Sequence, residues 1–202
     1  FTAASNIFGT MERSRYIFRD TLHTVQQLIE LKNNPIKALK SPIKNFTAGL
    51  TSVYALPLKN PFCKPVFYQE ISIADLPLIK HWPMDGGAFV TLPQVYTEDA
   101  DQPGFAHSNL GMYRIQLNGN EYVLNEEVGL HYQIHRGIGV HQSKANNKGI
   151  PLKVSVFIGG PPAHSVAAVM PLPEGMSELM FAGVLGGRRF RYCYKNGYCI
   201  ST

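Results

Sequence analysis

Along residues 11–31 the apolar positions Ile17, Leu22, Val25, Leu28 and Ile29 recur at helical spacing, and Glu12 stands early, where a carboxylate suits the positive helix end. The spacing predicts one helix, closed by Asn33-Asn34-Pro35. From 35 to 65 the periodicity fades among Pro35, Pro42, Pro57, Pro61 and Pro65, so this stretch reads as a connecting segment with at most one short helix. The period then shortens. Residues 88–92, 112–117 and 121–124 read as strands, and Asn118-Gly119 is a hairpin signal between the last two. Alternation within 111–117 sets Met112, Arg114 and Gln116 on one face, suited to line a pocket, and Tyr113, Ile115 and Leu117 on the other. Residues 152–158 alternate as a strand that ends at Gly159-Gly160-Pro161-Pro162. Short helices follow over 163–169 and from Ser177-Glu178-Leu179, with Ser177 as N-cap, to Gly186-Gly187. No glycine-rich phosphate loop follows a strand at dinucleotide spacing, so the pattern predicts an α+β fold with a mostly antiparallel sheet or barrel rather than a doubly wound sheet.

Composition narrows the picture without changing it. Apolar residues make up 45% of the 202 and charged residues 16%, which suits one main domain with a real core. The net charge of +5 raises the question of nucleic acid. However, Lys32, Lys37, Lys40 and Lys44 are scattered around prolines, and Arg188, Arg189 and Arg191 lack interleaved aromatics, so no nucleic-acid partner is expected. Cys63, Cys193 and Cys199 form neither a CxxC pair nor an even framework, which fits a reducing cytoplasm. No apolar run is long enough to span a bilayer. The chain opens at Phe1 on residues that read like the inside of a domain, so it is expected to be part of a longer polypeptide.

Histidine spacing suggests zinc first, because His131 and His135 stand four apart and His141 and His164 follow. Tyr132, Ile134, Gly137 and Gly139 are poor helix material, though, and no Glu follows His131 as in the protease motif. For His23, His81, His131, His141 and His164 a surface or hydrogen-bonded role is the expectation. A hard divalent ion beside phosphate takes a carboxylate with oxygen or nitrogen donors, a set that Asn109, His135 and Glu178 could supply. Spacing leaves Asn109 equally readable as a turn residue, Glu178 as a helix-start acid and Arg114 as a solvent-facing strand residue.

The segments 108–116 (SNLGMYRIQ), 134–137 (IHRG), 154–163 (VSVFIGGPPA) and 170–183 (MPLPEGMSELMFAG), in this order, resemble the UbiD-type decarboxylases, as do Asn6-Ile7-Phe8-Gly9-Thr10 and Asp75-Leu76-Pro77. The resemblance implies a split β-barrel of the flavin-reductase type with flanking helices, incomplete here. Residues 1–65 would be a helical and connecting segment and 66–202 a partial prenylated-FMN-binding domain. It implies prenylated FMN held by Asn109, Leu110, Gly111, Met112, Tyr113, Arg114, Ile134, His135, Ala168, Met170 and Glu178. A manganese or magnesium ion would sit on Asn109, His135 and Glu178, with His131 as the alternative to His135, and a potassium ion near 167–170. Arg114 matches the family's catalytic arginine, which holds the substrate carboxylate. The implied activity is non-oxidative decarboxylation of an aromatic or α,β-unsaturated acid, with the flavin as electron sink and a glutamate returning the proton. The implied partners are a flavin prenyltransferase as cofactor supplier and further copies of the full-length protein. The family's catalytic glutamates fall beyond the point matching Thr202, so the isolated chain is expected to be inactive. A non-catalytic flavin-binding fragment or pseudoenzyme and a metal-dependent hydrolase are the rival expectations.

Overall fold

A computed structural model describes residues 4–33, 42–62, 72–172 and 176–201. Lys37, Lys40, Cys63, residues 173–175 and the side chains of Lys32 and Lys44 lie outside that set. The helix expected over 11–31 is two helices, α1 (Met11–Ile17) and α2 (Leu22–Asn33). The turn between them keeps the apolar stripe in phase, because the Leu22 N–H bonds to the Phe18 carbonyl at 2.8 Å and that of Val25 to Thr21 at 3.0 Å. A break that preserves phase leaves no trace in periodicity. The Thr21 hydroxyl donates to the Leu185 carbonyl at 2.6 Å, tying this turn to the far end of the chain. The connecting stretch holds α3 (Pro42–Tyr54), longer than the short helix expected. Pro42 opens it, where a missing N–H costs nothing.

The strands of the described residues form three three-stranded sheets. One has the order β2 (Phe89–Val90), β5 (Arg114–Gln116), β6 (Gly129–His131). The second runs β4 (Ser108–Met112), β3 (Gln94–Glu98), β7 (Val154–Phe157). The third runs β1 (Leu58–Lys59), β8 (Arg191–Lys195), β9 (Tyr198–Ser201). Only β1 and β8 pair in parallel. The α+β class and antiparallel bias are as expected, but no sheet of the described residues closes into a barrel.

Four differences from the sequence reading have physical causes. The strand expected over 112–117 is divided at Tyr113, with β4 and β5 in different sheets. Residues 121–124 are turn rather than strand, because Asn120 and Glu121 take φ of 52° and 65°, and β5 pairs instead with β6. The central strand β3 escapes an alternation test because all its residues but Glu98 are buried, Gln94 and Thr97 included. The chain over Gly137–Asn147 is a helix, α4, despite Gly137 and Gly139. A Cβ at Gly139 would overlap the Ile134 carbonyl, and one at Gly137 the Asn109 amide, so these glycines permit close packing at the helix start.

The helices α5 (Pro162–Val169) and α6 (Glu178–Gly186) lie where expected, with Gly187 in the left-handed conformation at φ 65° closing α6. Val25 and Ala55, from α2 and the end of α3, pack with Val184 and Leu185 of α6. Tyr96, Leu110, Leu179 and Phe190 form a second cluster. Val95, Ile115, Leu117 and Ile138 form a third. No helix of the described residues is long and apolar enough to cross a membrane. Cys193 is disulfide-bonded, and Cys199 is free and buried.

Candidate functional site

Polar residues of the site are each placed by an apolar residue close by in sequence. Leu110 and Leu179 are each 1% exposed and belong to one core cluster, which holds β4, an edge strand carrying Asn109, against the start of α6 with Glu178. Ile138, also 1% exposed, fixes the start of α4 three residues after His135. Each such side chain gains roughly 1.5–3 kcal/mol on burial, enough to hold polar neighbours that contribute little stability themselves. Between β4, the segment 131–141 and the ends of α5 and α6 lies a cleft of about 1140 Å³.

Tyr113 turns back over Gly111, where a Cβ would overlap its ring. Its hydroxyl accepts a bond from Asn109 Nδ2 at 3.3 Å, which leaves the Asn109 amide oxygen facing Gly137. Burial pushes the Tyr113 hydroxyl above its ordinary pKa. Glu178 Oε2 accepts from the Leu110 N–H at 3.5 Å, a long bond, and makes no ion pair among the described residues. Burial therefore raises its carboxyl pKa, against the smaller pull of its own N–H and that of Leu110. Beside it, Ser177 is the N-cap residue of α6, but its hydroxyl makes no cap bond and is buried without a hydrogen-bond partner. A poorly compensated carboxylate, an orphaned hydroxyl and an amide oxygen lining one cleft are donors of the kind a hard divalent cation takes. The start of α4, with Arg136 as a cap residue whose side chain makes no cap bond, also faces this cleft, and the positive end of a helix suits a phosphate. The residues present fit a metal–phosphate group.

Asn109, Leu110, Gly111, Met112, Tyr113, His135, Ala168, Met170 and Glu178 all line this cleft, as does His131. Ile134 and Arg114 do not. Ile134 is 82% exposed. Arg114 lies in the neighbouring sheet, where its guanidinium stacks on the Phe89 ring at 3.7 Å and its Nη2 donates to Asp85 Oδ1 at 2.6 Å. The face on which Met112, Arg114 and Gln116 were expected to line one pocket is thus split. Met112 lines the cleft, Arg114 meets Asp85, and Gln116 bonds to the 118–120 turn. The apolar face holds, with Ile115 and Leu117 in one cluster and Tyr113 against it.

Sequence reasoning gave no role to Asp85 or Arg136 and read Ser177 only as the N-cap that it is, while His141 was expected to be a surface or hydrogen-bonded residue. His141 is buried on α4, with Nδ1 2.9 Å from Thr97 Oγ1, and burial lowers its pKa. Trp82-Pro83-Met84-Asp85-Gly86-Gly87 carries a turn signal that could have marked Asp85. Among the described residues, no group of three His, Cys, Asp or Glu side chains comes together.

The family model described as the UbiD 3-octaprenyl-4-hydroxybenzoate carboxy-lyase Rift-related domain matches residues 57–200. A 4-hydroxybenzoate decarboxylase subunit of Chlamydia pneumoniae is 37% identical over 98% of this chain and 33% of its own length. An uncharacterized protein of Helicobacter pylori is 31% identical over 98% of this chain and 32% of its own. The chain therefore spans about a third of the length of these curated relatives. Among solved structures, the UbiD-class enzyme HmfF from Pelotomaculum thermopropionicum, in complex with FMN, superposes with a TM-score of 0.61 at 19% identity. That match covers 76% of this chain and 34% of that one. Vanillic acid decarboxylase of Sedimentibacter hydroxybenzoicus, in open form, gives 0.63 at 22% identity, over 97% of this chain and 38% of that one. At such identities the structural likeness speaks for the fold alone.

Proposed function

Because the chain belongs to the UbiD family, we propose that it is the cofactor-holding part of a non-oxidative decarboxylase of an aromatic or α,β-unsaturated carboxylic acid. The observation that supports this reading is that Asn109, His135 and Glu178 all line one cleft, which Ser177 with its orphaned hydroxyl lines as well. Asn109, His135 and Glu178 hold a divalent ion, manganese or magnesium, and Arg136 and the start of α4 hold the flavin phosphate. A potassium ion near 167–170 belongs to the same reading. Prenylated FMN, when bound, supplies the electron sink for carbon–carbon cleavage. This chain's own part is to anchor and orient. β4, with Tyr113 closed over Gly111, would help hold the flavin, and Arg114 would grip the substrate carboxylate with a planar, permanently charged fork. The domain boundary near residue 65, the completion of a split barrel by further strands, self-association of the whole protein, a prenyltransferase as supplier and a cytoplasmic location are parts of the same proposal.

A non-catalytic flavin-binding role draws on one observation, that Arg114 lies outside the cleft and is already paired with Asp85. A hydrolase built on histidines draws on none among the described residues. The deciding experiment reconstitutes the complete polypeptide with prenylated FMN and Mn²⁺ and follows carbon dioxide release from a panel of hydroxybenzoic and cinnamic acids. Turnover that requires the flavin is expected. Stoichiometric flavin binding without turnover of any acid supports the non-catalytic role.

A further inference from the structure

The geometry points to Asp85 as the positioning residue that fixes the plane of the Arg114 guanidinium for the substrate carboxylate; the inference rests on the reading of Arg114 given above. Asp85 Oδ1 takes a hydrogen bond from Arg114 Nη2 at 2.6 Å, while its other oxygen accepts the Trp82 N–H at 3.1 Å. The Asp85 side chain is 11% exposed. Its loop cannot drift, because the Ala88 N–H bonds to Asn118 Oδ1 at 2.7 Å. A Cβ at Gly87 would also overlap the Asn118 carbonyl, and one at Gly119 the Gly86 carbonyl. From the other side, Arg114 lies over Phe89, whose ring meets His131 edge-on at 5.5 Å, and His131 is the cross-strand partner of Arg114. The guanidinium is thus held by an anion and by an aromatic face. A guanidinium has two edges that can each grip a carboxylate, and Asp85 occupies a single amino group. One two-donor edge remains for the substrate. The Arg114 hydrogen bond also keeps the Asp85 carboxyl below its ordinary pKa, so the clamp stays charged at neutral pH.

This arrangement predicts a split that a merely structural residue would not give. Freeing Arg114 removes a competing anion, so a carboxylate binds at least as tightly, but in several orientations, and turnover falls. The experiment uses the complete polypeptide, reconstituted with prenylated FMN, as wild type, Asp85→Asn, Asp85→Glu and Arg114→Lys, with thermal unfolding and flavin content checked for each. Benzoate binding to the cofactor-free proteins is measured in parallel by calorimetry. For Asp85→Asn we expect kcat to fall about 10- to 100-fold with KM unchanged or lower, partial recovery of kcat in Asp85→Glu, and benzoate affinity raised threefold or more. Wild-type kcat in Asp85→Asn beside an inactive Arg114→Lys overturns the role of Asp85 and leaves the decarboxylase reading standing. No turnover in the wild type, with benzoate binding that tightens in Asp85→Asn and disappears in Arg114→Lys, overturns the decarboxylase reading and keeps the clamp. Benzoate affinity unchanged in Asp85→Asn overturns the clamp whatever the turnover. If Asp85→Asn unfolds, Asp85→Glu carries the same comparison, and kcat and KM both at wild-type values in it overturn the inference.

Discussion

Replacing Glu178 by Gln separates a site residue from a helix-start acid. The carboxylate is largely buried, without an ion-pair partner among the described residues, and its bond from Leu110 is 3.5 Å long. Good bonds of this kind are nearer ~2.7–3.2 Å. An ionised group so poorly matched costs about 1–3 kcal/mol, and the positive end of α6 returns about 0.3–1 kcal/mol of that. The raised pKa of Glu178 gives the sign, since desolvation outweighs the helix end. Stability is greatest where the carboxyl is protonated and is lost as pH rises through the folded pKa. In metal-free protein, Gln should therefore gain about 1 kcal/mol at pH 7, some 2–4 °C in Tm for a chain of this size. The gain should vanish at pH 4, where both side chains are neutral. Mn²⁺ at about a hundred times its Kd should then stabilise the wild type by about 2.7 kcal/mol and the variant hardly at all, inverting their order. Differential scanning calorimetry at the two pH values, with and without Mn²⁺, reads all four states. A variant that melts lower than wild type without metal at pH 7, or equal stabilisation of both by Mn²⁺, refutes the reasoning.

Arg114→Lys in the complete, reconstituted enzyme should keep flavin absorbance and lose most turnover, because an ammonium cannot pair with Asp85, lie flat on Phe89 and present two parallel donors together. Loss of flavin instead would make Arg114 a cofactor anchor. His135→Ala should lower metal content and flavin retention, and His131→Ala should chiefly loosen β6, where its ring packs on Phe89; elemental analysis with the reverse outcome moves the ligand to His131. His164 has its pKa lowered to about 4, first by burial and then by Arg188, so the wild type should lose stability as pH falls from 6.5 toward 4. His164→Phe, beside Phe190, should flatten that acid limb in a melting series, and an unchanged limb contradicts the assignment. Leu179→Ala should cost about 2–5 kcal/mol and weaken Mn²⁺ binding with it; intact metal affinity would show that the core contact does not place Glu178.

Elements bounded by clear start and stop residues could be read in the sequence, as with β7, α5 and α6 between the Gly159–Pro162 run, Ser177 and Gly186-Gly187. β3 could not, because a strand buried on both faces and carrying Gln94 and Thr97 has no contrast to read. The β8–β9 hairpin was readable and passed over. Asn196-Gly197, with φ of 51° and 80°, is the turn signal already recognised at Asn118-Gly119. At that earlier turn the same dipeptide opened a longer excursion, because Asn120 and Glu121 also turn left-handed. For the site, three of the motif segments, 108–116, 134–137 and 170–183, contribute residues to one cleft, a convergence that no period or spacing could have shown. Asp85 stayed hidden because its meaning lies in an approach across 29 positions, between a loop and a strand.

The single residue at which the chain leaves one sheet for another sets a division of labour. Asn109 belongs to a ladder with β3, and Arg114 to a ladder with β2 and β6, with only Tyr113 between β4 and β5. The span from the Asn109 amide to the Arg114 guanidinium is therefore fixed by count rather than by composition. One inserted residue would turn Arg114 to the opposite face while every pair in the β3–β4 ladder stayed as it is. A library built on positions 85–90 and 129–132 would vary what Arg114 meets and leave the Asn109 register untouched. The fold thus offers an engineer two dials on one strand path, one for the surroundings of Arg114 and one for those of Asn109.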